Sequence, residues 1–308
     1  MRKYIFSRLI QLVPILFGIT FFTFAMMQFA AGDAVDIIYE QSGSVAEEIK
    51  AARRAELGLD KPFLVQYGNW LKGILTGDLG RSFISGKLVF ETFAEKLPAT
   101  FELMFVSILL TIFFATPLGI LAAVNQNRPL DYLIRTLSFV GNSLPNFFVG
   151  LLLIYFLALK LKLLPIIGQN VIMPALTLTI AMGAKYTRQI RAVVLEELNK
   201  PYVVGARSRG VSEFTILTKS VLRSTLIVII TLLALSTGSL LGGTAIVETI
   251  FMWDGVGKMA VDAILMRDYP LIQAYVVWMA IIYVVINLLA DLLYRWLDPR
   301  VKYGGDSA

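Results

Sequence analysis

Residues 103–127 read LMFVSILLTIFFATPLGILAAVNQN, a run without a single charge. A bilayer core is crossed by ~20 mostly apolar residues in a helix. Five further charge-free windows have comparable length: 9–32, 136–159, 163–184, 224–247 and 269–290. Elsewhere the longest such gap is 62–71, half as long. Lipid offers no hydrogen bonds to peptide groups, so each window is predicted to be a helix that satisfies its own backbone. A soluble helix would carry a polar stripe along one face, and these windows carry none. The expectation is an all-α integral membrane protein with six transmembrane helices.

Composition agrees. Of 308 residues, 57 % are hydrophobic and 16 % charged, against roughly 45–50 % and 25 % in soluble domains. Cysteine and histidine are both absent. Disulfides, thiolate metal sites, Cys nucleophiles and Ser-His triads are therefore excluded. Ten methionines are scattered on apolar stretches and read as packing.

Orientation follows from the connecting segments. With the N-terminus inside, cytoplasmic segments hold 16 Lys/Arg against 7 Asp/Glu, and outer segments 12 against 15. The positive-inside rule then places both termini in the cytoplasm. Lys160 and Lys162 fall on the other side. The net charge of +6 is an orientation signal and calls for no nucleic acid. The apolar run of the first window exceeds a signal-peptide core of ~7–15 residues, so it reads as an uncleaved span.

The chain divides into 1–31, with the first span; 32–97, an outer segment; and 98–308, a core of five spans with an inner segment at 185–223. In the outer segment, Ser44-Val45-Ala46-Glu47 has the form of a capping box. Tyr67, Trp70, Leu71 and Ile74 then share one helical face. This predicts a helical lid on the outer surface, with Tyr67 and Trp70 either packed or anchored at the interface. Pro145 is expected to kink the third span. The segment 248–270, with Trp253, Gly255 and Gly257, reads as a re-entrant or surface turn structure.

Chemistry is sparse. No G-x-x-x-x-G-K-[ST] string occurs, and Gly255-Val256-Gly257-Lys258 lacks its spacing. No acid or base lies mid-span, which argues against an ion-coupled carrier. Uncharged polar residues do occur within spans: Asn142, Ser143 and Asn146 in the third, Ser236, Ser239 and Thr244 in the fifth. They either hydrogen-bond between helices or line a hydrated path. A self-sufficient channel or secondary carrier is the alternative they leave open. An intramembrane hydrolase lacks a base near any of these serines.

The inner segment is the most punctuated. Pro201 opens a short helix at its tolerated first turn, and Gly210 supplies a left-handed stop. Ser212 starts the next helix. A short helix pinned at both ends suits a protein partner better than a basic loop held near anionic lipid.

Tyr202-Val203-Val204-Gly205-Ala206-Arg207-Ser208-Arg209-Gly210-Val211-Ser212, followed by Val221-Leu222-Arg223-Ser224, resembles the coupling-loop signature of ABC importer permeases of the dipeptide, oligopeptide and nickel branch. Other stretches agree in order and spacing: Arg8-Leu9, Leu57-Gly58-Leu59-Asp60-Lys61-Pro62, Gln66-Tyr67, Gly77-Asp78-Leu79-Gly80, Glu248-Thr249-Ile250-Phe251, Gly255-Val256-Gly257, Arg267-Asp268-Tyr269-Pro270 and Asp298-Pro299-Arg300. The resemblance covers essentially the whole chain. It implies a type I importer permease fold in a bacterial cytoplasmic membrane. It also implies a homologous sister permease, two cytoplasmic ATPases that carry ATP and Mg, and an outer substrate-binding protein. This chain itself would bind no cofactor or metal and catalyse no reaction. Tyr202, Val203, Ala206, Arg207, Arg209 and Gly210 would couple to an ATPase. The short connection between the third and fourth spans is closer to the nickel branch, while Gly32-Asp33-Ala34 departs from the usual Gly-Asp-Pro. The cargo implied is nickel or a short peptide. A bare soft metal ion would meet poor ligands here, so nickel would cross as a chelate.

Overall fold

The computed structural model of the protein describes residues 2–29, 34–40, 46–165 and 170–297. The described chain is helical apart from turns and one isolated bridge between Arg81 and Leu88. The helices are α1 (Arg2–Phe29), α2 (Ala34–Glu40), α3 (Glu47–Leu57), α4 (Phe63–Thr76), α5 (Val89–Val124), α6 (Pro129–Ser143), α7 (Asn146–Leu153), α8 (Ile172–Leu198), α9 (Pro201–Ser208), α10 (Glu213–Thr215), α11 (Leu222–Ile250), α12 (Val256–Leu265) and α13 (Tyr269–Leu297). Short π-helical stretches, Ile154–Lys160 and Ile216–Val221, follow α7 and α10.

Among the described residues, four helical stretches are long and apolar enough to cross a bilayer: Ile10–Met27, Val89–Val124, Glu213–Thr231 and Tyr269–Leu293. A fifth arises if α6 and the helix after it count as one bent span. That bend is far more than the expected kink. The two halves meet at 104°. Leu144 and Pro145 are both extended, with ψ of 132° and 140°. Proline lacks the amide hydrogen and pushes the residue before it out of the helical region, so the helix stops and restarts. The window 163–184 also differs from expectation. Helix α8 begins only at Ile172 and continues to Leu198, past Lys185, Arg188 and Arg191.

Two compact units form. The first comprises Met1–Thr100 and Asp254–Val285. Within it the apolar face of α4 packs on α1. Tyr67 is buried, its ring set edge-on to Phe17, Phe21 and Phe24. Its hydroxyl lies 3.1 Å from Thr20 Oγ1. Tyr67 is thus packed within the chain. The capping box is not described at its first residue: Ser44 lies outside the described residues, and α3 follows Ala46 without a side-chain cap. The segment 248–270 holds a helix, α12, whose Val256, Ala260 and Ala263 are buried. The Val256 amide donates to Thr100 Oγ1 at 2.9 Å. Ser82 donates its hydroxyl proton to Asp268, and the Phe83 amide donates to the same carboxylate at 3.0 Å. Burial pushes the Asp268 carboxyl above its ordinary value, against these hydrogen bonds.

The second unit comprises Phe101–Trp253 and the chain after Val285. Here α8 packs against α6, α7 and α11. Its core gathers Ala115 and Ala123 of α5, Tyr186, Ile190 and Val194 of α8, and Ile229 of α11. Gly119 of α5 makes a close approach possible: a Cβ there would lie 2.7 Å from Ile190 Cγ2 and 2.9 Å from the Thr187 carbonyl oxygen.

Candidate functional site: a clamped short helix in the second unit

The site is built around α9. Lys200 is extended and Pro201 takes the first helical position, where a missing amide hydrogen costs nothing. At the other end Gly210 has φ +75°. Its amide donates to the Arg207 carbonyl at 2.9 Å, and the Val211 amide reaches the Ala206 carbonyl at 3.2 Å. This pair of bonds is the Schellman motif, and it needs the left-handed residue that glycine tolerates best. Ser212 then caps the next helix, its hydroxyl oxygen accepting from the Thr215 amide at 3.4 Å. The expected punctuation by proline, glycine and serine is all present.

The six residues expected to couple do not share one face. Val203 is fully buried in the core of the second unit, with Ala206 packed beside it. These two hold α9 to its own chain. Tyr202 exposes its ring but donates its hydroxyl proton to Glu197 Oε1 at 2.7 Å. Arg207 makes a two-pronged pair with Glu213, at 2.6 and 3.0 Å, which bridges the turn from α9 to α10. Arg209 and Gly210 are exposed.

Glu197 was not singled out by the sequence, yet it organises the start of α9. It is buried and accepts from Lys200 at 2.5 Å as well as from Tyr202. Burial raises its carboxyl, but hydrogen bonds from Lys200, Tyr202 and Ser224 outweigh that and hold it below the usual range. Burial and the Glu197 charge push the Tyr202 phenol up. Two apolar residues outside the six are exposed here: Val204 on α9 and Phe214 on α10, the latter 75 % exposed. An apolar residue between polar neighbours, with no periodicity to place it, was the only sequence signal for Phe214.

The polar residues expected within the third and fifth spans are dispersed. Asn142 and Ser143 are exposed at the end of α6, with the Ser143 hydroxyl turned back on the Phe139 carbonyl at 2.8 Å. Asn146 is half-buried at the start of α7. Thr244 is fully buried in α11. The side chains of Ser236 and Ser239 lie outside the described residues. No group of three or more potential metal-ligating side chains occurs among the described residues.

Comparison with known proteins adds the following. Residues 115–303 match the family described as "Binding-protein-dependent transport system inner membrane component". Residues 1–104 match the N-terminal family of the same systems. The oligopeptide transport system permease protein AppB of Bacillus subtilis (strain 168) is 37 % identical, over 98 % of this chain and all of AppB. The glutathione transport system permease protein GsiC of Escherichia coli O6:H1 is 36 % identical, with the same coverage. An inward-facing structure of the MetNI methionine ABC transporter superposes with a TM-score of 0.60, over 68 % of this chain and 97 % of that one. At 17 % identity that likeness speaks to the fold alone.

Proposed function

The chain belongs to the family of inner-membrane components of binding-protein-dependent transport systems, and from that premise we propose that it forms half of the translocation path of an ATP-driven peptide importer. It is a multi-pass protein of a bacterial cytoplasmic membrane and a transport component, not an enzyme. The proposed arrangement has six spans with both termini in the cytoplasm, a sister permease, two ATPases on the inner face and a substrate-binding protein outside.

The observation that carries the coupling role is α9. Val203 roots it in a core shared with α5, α8 and α11, while Val204 and Phe214 remain exposed. A helix fixed on one side and free on the other passes a push directly into the bundle, because a close-packed core transmits displacement. ATP-driven closure of the ATPases would supply that push. Val204, Arg209 and Phe214 are proposed as the contact, with Arg207, Glu197 and Tyr202 holding the helix in position.

For cargo, the relatives favour a short peptide, since AppB is named for oligopeptides and GsiC for glutathione. Nickel, which the short third connection suggested, finds no support in either name. The test is to affinity-purify the tagged chain from its native membrane in mild detergent. Recovery of a second permease and of ATPases is expected, and Phe214→Asp is expected to lose the ATPases while keeping the sister. A chain recovered alone that passes solute in liposomes without ATP would overturn the importer and leave the channel.

A further inference from the structure

Helices α6 and α8 converge on an arginine groove that the coupling role does not use. Tyr132, Arg135, Thr136 and Phe139 follow the i, i+3, i+4, i+7 pattern of one face of α6, and Arg188 and Arg191 line the opposite wall on α8. The space between them is about 460 Å³. Arg191 is already neutralised by Asp131. Arg135 and Arg188 are exposed and touch no carboxylate among the described residues, although the Arg135 charge is felt by Asp131 from a distance. The Arg135 guanidinium instead lies 5.6 Å from the centre of the Tyr132 ring. The acids that come next on α8 are Glu196 and Glu197, and Glu197 is held by Lys200 and Tyr202.

The surroundings are amphiphilic. Arg135 immediately precedes the charge-free run 136–159, and Arg188 follows soon after the run that ends at 184. Within the groove itself, the aromatic rings of Tyr132 and Phe139 stand exposed beside the arginines. Two guanidiniums whose N–H forks meet no carboxylate suit a phosphate, which accepts them. The exposed Phe139 ring, at the start of the charge-free run 136–159, suits an acyl chain and not a free anion. We propose that this groove binds the phosphate of an anionic phospholipid, which bridges α6 to α8 through Arg135 and Arg188.

The proposal rests on the cytoplasmic placement of this groove given under the proposed function. Such a lipid would sit on the helix that leads directly into α9. Anionic lipid would then set how firmly α8 is held and thereby tune ATP-coupled uptake.

The test uses the complex purified in detergent and native mass spectrometry, with phosphatidylglycerol or phosphatidylcholine as the probe. Retained phosphatidylglycerol is expected to fall by about tenfold in Arg135→Gln/Arg188→Gln, at roughly fivefold per basic residue or less. Arg135→Lys/Arg188→Lys should restore most of it, which shows that the loss is not misfolding. Lys72→Gln/Lys87→Gln removes the same charge elsewhere and should change nothing. Equal retention in the Gln variant, equal retention of phosphatidylcholine, or full displacement by millimolar inorganic phosphate would overturn the lipid site. The chain has no cysteine, so Thr136→Cys gives a unique label. Labelling from inside the cell alone supports the placement. Labelling from outside would sink the proposed topology, whereas inside labelling with unchanged lipid retention would sink the lipid site only. Cross-linking of that cysteine to the sister permease would show the groove to be a subunit interface and overturn the proposal.

Discussion

Arg191 grips both carboxylate oxygens of Asp131, Nε at 2.6 Å from Oδ1 and a terminal nitrogen at 2.7 Å from Oδ2, across sixty residues of chain. Asp131 is fully buried, and Oδ2 also accepts the Asn127 amide at 3.0 Å. The pair locks the start of α6 to α8. Arg191 is part-exposed on an open groove, so losing it costs the worth of charged hydrogen bonds, ~1.5–3 kcal/mol, and less than a dry ion pair would. Arg191→Met is expected to destabilise the purified protein by about that much. Asp131→Asn/Arg191→Met should recover most of the loss, because no lone charge remains. Thermal unfolding in detergent checks both.

The same pair makes a pH signature. Hydrogen bonds from Arg191 are the chief cause that holds the Asp131 carboxyl below its usual range, against the opposing effect of burial. An acid with a depressed folded-state value contributes stability that is complete above the unfolded value, ~3.9 for aspartate. That stability is lost as pH falls through the depressed value. Melting temperatures of the wild type and of Asp131→Asn/Arg191→Met should therefore run parallel from pH 8 to pH 5. They should converge or cross only below about pH 4, with the wild type losing more. A gap that changes between pH 8 and 6 would contradict this.

Gly119→Ala tests the approach of α5 to α8. The new methyl would meet Ile190 Cγ2 at 2.7 Å and the Thr187 carbonyl oxygen at 2.9 Å. Overpacking of this kind costs about 1–3 kcal/mol. Ile190→Ala in the same chain should not rescue it, since the carbonyl cannot move without breaking α8. Expression level and melting temperature of the two variants decide the matter.

Tyr67→Phe should cost about 1 kcal/mol, the usual worth of one hydrogen bond, because the Thr20 hydroxyl also bonds the Leu16 carbonyl at 2.7 Å and is not orphaned. Tyr67→Ala should cost about 3–5 kcal/mol through the cavity left among Phe17, Phe21 and Phe24. A phenylalanine variant as damaged as the alanine one would contradict the packing account. Protease resistance of the first unit reports the difference.

At the turn after α9, Gly210→Ala strains a backbone at φ +75° and should weaken the helix stop by about 1 kcal/mol. Gly210→Pro fixes φ near −65° and removes the amide that donates to Arg207, so the Schellman turn cannot form. Uptake driven by ATP is expected to fall modestly in the first and to vanish in the second, with membrane insertion intact in both. Full uptake in Gly210→Pro would remove α9 from the coupling mechanism.

Much of the architecture was legible from local rules. Long charge-free windows forecast apolar helices, and Pro201, Gly210 and Ser212 forecast the bounds of α9, because capping and backbone preference act over four or five residues. The apolar spacing of Tyr67 and Trp70 forecast the packed face of α4. The break at Leu144-Pro145 was only half legible. Proline announces a disturbed helix, but whether it kinks or turns by 104° depends on what the two halves pack against.

What the sequence alone determined is the class of molecule: a helical membrane protein without thiol or imidazole chemistry, with a short punctuated helix in the basic segment 185–223. What only the tertiary structure decided is which of its few ionisable groups act together. Asp131 finds Arg191, Ser82 finds Asp268, and Glu197 is buried under α9. Nothing in a neighbouring residue marks such pairings. Each is selected when packing removes the groups from water, where an unpaired charge costs far more than in solution. The same packing turned Val203 inward and left Val204 and Phe214 outside, so which side of the short helix stays exposed was settled by the core behind it.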